Sequence, residues 1–314
     1  MINSGRNIVL MLVGVVVVAF GCGDKQSQTQ SSPPSQSSQP APTPTSAPAA
    51  TSPPLFWAEV LEQNPDPKGV IDADFLKRIT ETKLPWRVKD KATGIEMLLV
   101  PPGKFVMGKS GPWDTEAKDN EKPAHEVTLT KAFYLGRTEV TQAQWFKVMD
   151  TNPSKFRGES LPVDSVSWED ISVFLKKAGG GLRLPTEAEW EYACRAGTKG
   201  ATYGDLDLIA SHRGASAQTT HAVGKLQPNT LGFYDIIGNV WEWTNDWYEG
   251  DYYKSCADGV VDPTGPAQSE LGARVLRGGG WFSNASGLRA SCRGSFVPGG
   301  RNDDLGCRFA RTAD

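Results

Sequence analysis

The ten residues Gly238-Asn-Val-Trp-Glu-Trp-Thr-Asn-Asp-Trp247 hold three of the chain's ten tryptophans and two acids, Glu242 and Asp246. Tryptophan is bulky and carries a single N–H donor, so clustered indoles build a rigid wall with few fixed polar points. Carboxylates set among such rings must be hydrogen-bonded, ion-paired or bound to a cation. The stretch is therefore either a core segment with satisfied acids or the floor of a binding or catalytic site.

Outward from it, on both sides, periodicity is lost. From Gly197 onward the chain runs in short pieces broken at Gly204, Asn229, Gly232, Gly265 and Gly278-Gly279-Gly280. A segment this long without regular elements is not a passive loop, and must be held by side chains, by a disulfide or by bound ions. Upstream the signals are regular. Thr141 with Gln144 and Thr186 with Glu189 have capping-box spacing, and Ser167 starts a helix that Gly179 stops. Trp145, Val148, Met149, Ile171, Phe174, Leu175, Trp190 and Ala193 fall on the inward faces. Glu96–Gly108 reads as two strands around Pro101-Pro102-Gly103, and His125–Leu135 as one half-buried strand. Helices early and irregular strands late predict an α+β domain of low regular content.

The chain has 314 residues and a formal net charge of −3, with 33 Gly and 22 Pro. No basic patch speaks for nucleic acid. Residues 1–22 read as an export signal: Arg6, an uncharged apolar run from Ile8 to Phe20, then Ala19-Phe20-Gly21-Cys22, which is similar to a bacterial lipobox with Cys22 as the lipidated residue. Residues 23–54, nearly all Ser, Gln, Pro, Thr and Ala, predict a disordered spacer. Residues 55–83 predict a short helical lead-in, with Phe75, Leu76 and Ile79 inward, to a domain over 84–314. Together these describe an exported protein of the bacterial cell envelope, attached to the membrane by a lipid.

Seven stretches then match one family in order: Gly103-Lys-Phe-Val-Met-Gly108, Glu139-Val-Thr-Gln-Ala-Gln-Trp145, Pro162-Val-Asp-Ser-Val-Ser-Trp168, Arg183-Leu-Pro-Thr-Glu-Ala-Glu-Trp-Glu-Tyr-Ala193, Asn229 to Trp243, Arg277-Gly-Gly-Gly-Trp281 and Leu305-Gly-Cys-Arg-Phe309. Over Leu84–Arg311 the chain resembles the formylglycine-generating enzyme, or sulfatase-modifying factor, family. The resemblance implies an irregular α+β fold related to C-type lectins.

It also implies a chemistry. Family enzymes oxidise a sulfatase cysteine to formylglycine with oxygen and a copper ion held by two cysteines five residues apart, because soft thiolates select Cu(I). Those positions here are Ser283 and Leu288, and Gly280 stands where the family motif has serine. A hydroxyl and an isobutyl group do not hold Cu(I), so copper is not expected. The family's calcium site, against the tryptophan motif, maps to Asp235, Gly238, Val240 and Glu242, the acids by their side chains and the other two by backbone carbonyls, a donor set suited to a hard cation. The alternative is that both acids bond nearby amides without metal. A second family calcium site falls on Ser211-His212-Arg213, where its asparagine-rich sequence is missing. Cys194 and Cys292 match a structural disulfide of some members. Cys256 and Cys307 either pair or stay free, and Cys292 facing Cys307 across a pocket would make a different metal site.

Other constellations carry less. His125, His212 and His221 show no metal-ligand spacing, and Glu187, Glu189 and Glu191 suit capping and the helix dipole. Gly278-Gly279-Gly280 reads as a tight turn, Asn302-Asp303-Asp304 as a solvated turn, and Asn284-Ala285-Ser286 fits a sequon that a bacterial lipoprotein would seldom use. The expectation is a binding or structural module, with Trp241, Trp243 and Trp281 walling a groove for a peptide, a glycan or an envelope protein. The rival is an oxidoreductase acting on a protein cysteine or a related metal-dependent oxidation, for which His212, His221, Cys292 and Asp304 are the first residues to inspect.

Overall fold

The computed structural model describes residues 55–66, 72–112, 114–215, 218–257 and 259–313. The expected export signal, Cys22 and the spacer 23–54 lie outside them. In chain order the strands are β1 (Ala58–Glu62), β2 (Arg87–Asp90), β3 (Glu96–Val100), β4 (Gly103–Met107), β5 (His125–Leu129), β6 (Phe133–Gly136), β7 (Trp241–Trp247), β8 (Val260–Val261), β9 (Arg274–Arg277), β10 (Arg293–Phe296), β11 (Leu305–Gly306) and β12 (Ala310–Thr312). The helices are α1 (Ala73–Thr82), α2 (Gln142–Met149), α3 (Trp168–Ala178), α4 (Glu187–Arg195) and the single turn α5 (Leu206–Ile209). Three sheets form, ordered β1-β2-β3-β6-β12, β10-β9-β7-β11 and β4-β5-β8. The domain is α+β, with about one-fifth helix and one-fifth strand (21% each).

The helices start where their local chemistry says. Thr141 and Thr186 accept the N–H of Gln144 and Glu189, whose side chains return to the cap N–H groups, and Ser167 does the same with Asp170. Each box satisfies two orphan donors of a first turn. Gly179 closes α3, while α4 ends one residue before Gly197, at Ala196 in the left-handed region. Trp145 stacks on Phe174, and Phe174 packs on Phe309, both with centroids 5.0 Å apart, tying α2 and α3 to the C-terminal segment.

Of the two strand expectations one holds and one needs correction. β3 and β4 do flank the proline turn, but they join different sheets, because Pro101-Pro102 offers no N–H to continue a ladder. His125–Leu135 is two strands. Thr130 N–H bonds Asp262 Oδ1 at 2.8 Å rather than a neighbouring strand, and the chain crosses from one sheet to another. The lead-in is also more than a helix. β1 pairs antiparallel with β2, and α1, capped by Asp72, buries Phe75 and Ile79, with Phe75 5.5 Å from Tyr192 of α4.

Candidate functional site

The tryptophan stretch lies on β7, the third strand of the four-stranded sheet, with Glu242 facing inward and 1% exposed. Its carboxylate is fully engaged. Arg308 Nε lies 3.0 and 2.9 Å from its two oxygens, Arg308 Nη2 lies 2.8 Å from Oε1, and Trp190 Nε1 donates to Oε2 at 2.7 Å. Arg308 also donates to the carbonyls of Gly136 and Tyr234. Beside this pair sit two more buried acids. Glu139 accepts the Asn239 side-chain amide at 2.6 Å and Val240 N–H at 3.1 Å. Burial, with the charges of Asp235 and Glu242, pushes the Glu139 carboxyl well above the usual range. Asp235 Oδ2 accepts Gly224 N–H at 2.6 Å, while its Oδ1 is buried and has no hydrogen-bond partner.

The expected calcium set thus divides. Asp235 offers a free oxygen, which fits a cation. Glu242 does not fit as a ligand, because its lone pairs already face a guanidinium and an indole N–H. Among the described residues no three His, Cys, Asp or Glu side chains converge as a metal cage.

The irregular half of the domain is held by buried ion pairs. Arg277, on β9, reaches Glu191 of α4 and the carbonyls of Ala290, Ser291 and Cys292. Arg293, on β10, pairs with Glu187 at 2.6 and 3.0 Å. Arg289 takes both oxygens of Glu121 at 2.6 Å and approaches Asp114 at 3.2 Å. Glu187 and Glu191 are therefore ion-pair partners in the interior rather than dipole residues, and of the three acids only Glu189 serves the cap. Burial alone would raise the carboxyls of Glu121 and Glu187; the arginines outweigh it and hold both below their ordinary values. The expected bridge is not formed: Cys194, Cys256, Cys292 and Cys307 are all free, buried thiols. Their surroundings differ. Cys292 has Glu121 and Arg289 as charged neighbours, Cys307 has Glu242 and Glu139, and burial pushes both thiols up. The field of Glu242 also reaches Cys194, whose thiol burial raises to about 12.

Beyond Trp281 the chain turns back on itself. Ser283 Oγ accepts Gly280 N–H at 2.9 Å, and Leu288 is fully buried. Both side chains point at Gly279, where a Cβ would lie 2.7 Å from Leu288 Cδ2 and 3.4 Å from Ser283 Oγ. The glycine triplet is needed here, since Gly279 has φ +78° and no room for a side chain. At Gly280 a Cβ would press on Asp304 Cβ (3.2 Å) and Trp241 Cδ1 (3.3 Å).

The three expected wall tryptophans part company. Trp243 is a core residue, fully buried, with its N–H on Val166 O at 3.0 Å. Trp281 is 8% exposed, edge-on to Phe156 and Phe282, and bonded to Asp303 O. Trp241 alone keeps a partly open face, packed over Gly280 and Gly294. His212 bonds Asp207 and does not meet His221, which lies beside Asp235. Two clefts of about 660 and 310 Å³ are lined by other residues, the larger between α1 and β4 with Phe75, Phe105 and Tyr192 in its wall.

The sulfatase-modifying factor enzyme 1-like domain matches residues 85–313, well over half of the chain. The chain belongs to that family. Formylglycine-generating enzyme of Streptomyces coelicolor is 36% identical over 173 residues, 49% of this chain and 53% of that enzyme. Serine/threonine-protein kinase pkn1 of Chlamydia pneumoniae is 33% identical over 244 residues, 69% of this chain. The match spans only 38% of the kinase's length. Among solved structures, PvdO from Pseudomonas aeruginosa superposes with a TM-score of 0.64 and 27% identity, covering 72% of this chain and 98% of PvdO. In this sulfatase-modifying-factor domain, the two positions that face Gly279 are the pair that the sequence likeness equates with copper-binding cysteines.

Sequence reasoning missed Glu139, Trp190 and Arg308 as partners in the acid floor. All three stand inside the matched motifs, so the signal was present as motif membership; what it lacked was any indication that they meet.

Proposed function

We propose that this domain does not oxidise cysteine and serves as a binding or structural module of the sulfatase-modifying-factor fold. The observation that carries this is the pair at Gly279. A serine hydroxyl, already bonded to Gly280 N–H, and a buried isobutyl group stand where two thiolates would be needed to hold Cu(I). Of the described cysteines, Cys292 and Cys307 lie among different charged neighbours, Glu121 with Arg289 and Glu242 with Glu139. The surface offered to a ligand is the partly open face of Trp241 with the exposed Phe282, against which Arg213 stacks at 4.8 Å. A peptide, a glycan or an envelope protein fits such an aromatic and cationic edge. The reading includes export and attachment to the membrane through a lipid on Cys22, supported by the apolar run and the Ser/Pro-rich spacer that follows it.

Cu(I) binding tests the assignment at residue level. In an anaerobic titration against a competing chelator, the wild-type protein is expected to take up no copper at this site. The double variant Ser283→Cys/Leu288→Cys is expected to bind one Cu(I) per chain. Tight stoichiometric copper on the wild-type protein would overturn the proposal.

A further inference from the structure

The three-stranded sheet ends at β4, whose outer edge has no neighbouring strand. The pairing with β5 fixes which groups face outward there. Lys104 lies opposite Thr128, and Thr128 O accepts Asp262 N–H at 2.9 Å on the far side of β5. The N–H and C=O of one strand residue point the same way, so Thr128 faces β8 and its pair with Lys104 is of the non-bonded kind. Lys104 and Val106 therefore turn their N–H and C=O groups away from β5, and these groups have no hydrogen-bond partner among the described residues. The larger cleft, of about 660 Å³, touches Lys104, Phe105 and Val106 in succession. Successive side chains of a strand point to opposite faces, so a cleft that meets all three runs along the edge itself.

Across from that edge stand α1 and α4. Phe75 and Tyr192 give an apolar wall, with Phe105 packed 5.2 Å from Tyr192. Arg78 lies 4.3 Å over the Phe75 ring and donates to Pro102 O at 3.0 Å and to the Tyr192 hydroxyl, which sets a guanidinium at the head of β4. The rim is cationic. Lys109 and Lys199 have no carboxylate partner among the described residues. Of the acids that line the cleft, Glu126 is paired with Lys104 at 2.8 Å and Asp72 is taken by the N–H groups of Asp74 and Phe75, which leaves Asp74 as the unengaged one.

We propose that this edge takes an extended acidic peptide as a fourth strand of the sheet. Unpaired main-chain groups of an edge strand are a template for a partner strand, and pockets beside the edge select its side chains. Here the N–H and C=O groups of Lys104 and Val106 bond the peptide backbone, an apolar side chain packs between Phe75 and Phe105, and acidic side chains meet Lys109 and Lys199. A second copy of the chain is opposed by charge, because pairing two β4 edges sets the lysines of one against those of the other. The spacer over 23–54 is unsuited as well: it has no acid after Asp24, and its prolines carry no N–H for a ladder. The cleft shares no lining residue with the face of Trp241 and Phe282.

The test titrates the purified full chain with a short fluorescent peptide of alternating glutamate and valine, with its lysine–valine counterpart, and with a copy of the acidic peptide N-methylated along its backbone. Anisotropy is expected to show binding of the first alone, weakening as salt rises. Val106→Pro removes one outward donor and leaves the β5 ladder intact, while Lys109→Glu with Lys199→Glu reverses the charge of the rim. Each should weaken binding about tenfold or more, and Phe282→Ala should leave it unchanged. Circular dichroism is checked for every variant, and the rim variant carries the test if Val106→Pro misfolds. No binding of the acidic peptide, equal binding of its N-methylated copy, or loss in Phe282→Ala with the rim variant unaffected would each overturn the assignment.

Discussion

Asp246 shows how far a single side chain here departs from its behaviour in water. It is 2% exposed, accepts Glu187 N–H at 2.9 Å, and has the carboxylates of Glu187 and Glu189 as neighbours. Burial first, then Glu187, pushes its carboxyl well above the ordinary range. An acid whose folded value is raised binds its proton more tightly when folded than when unfolded. Stability is therefore lost as pH rises from the unfolded value, near 4, towards the folded one. Asp246→Asn removes that cost and keeps an acceptor for Glu187 N–H. It should stabilise the protein by about 1 kcal/mol or more at neutral pH, and the gain should vanish below about pH 4. Denaturant unfolding of both proteins across that range checks it, and equal stabilities at pH 7 would contradict it. Glu121 and Glu187 work in the opposite sense. Their folded values are lowered, so their contribution is present above the carboxylate range and fades in acid.

At the scale of the element, what was legible in the chain was what three or four neighbouring residues decide. Thr141 with Gln144 and Thr186 with Glu189 could be read as caps because both partners of each bond lie three residues apart. The end of α3 at Gly179 was equally local. The division of His125–Leu135 was not, because the residue that stops β5, Asp262, lies 132 positions away from Thr130. Nor was the floor of the tryptophan stretch, where Arg308 meets Glu242 across 66 positions and Glu139 meets Asn239 across 100. Motif likeness marked these residues but not their pairing. The lead-in makes the point in energetic terms. α1 lies before the matched domain, yet Phe75 is 3% exposed and packs on Tyr192. Phe75→Ala should cost about 3–5 kcal/mol, a loss characteristic of a core position. A change below about 1 kcal/mol in thermal or denaturant unfolding would mean that α1 is an appendage.

For the molecule as a whole, the long irregular half poses a question of cohesion. Side chains supply part of the answer: Arg277, Arg289, Arg293 and Arg308 each run from the C-terminal half into buried acids, while the four described cysteines stay unpaired. These clamps are made by side chains other than Ser283 and Leu288, and Arg277 and Arg289 also bond backbone carbonyls of the loop that carries those two, so the loop's path can persist while the chemistry at Gly279 changes. Retained fold and altered site are thus compatible in one chain, which is the basis for reading it as a module. Family membership alone does not settle activity; the residues at the site do. The most direct measurement is to incubate the purified protein with a Cys-x-Pro-x-Arg peptide, copper and oxygen, and to follow the peptide mass. The account predicts no conversion of cysteine to formylglycine above the protein-free control. Turnover of the peptide by the wild-type chain, lost when copper is chelated, would contradict it.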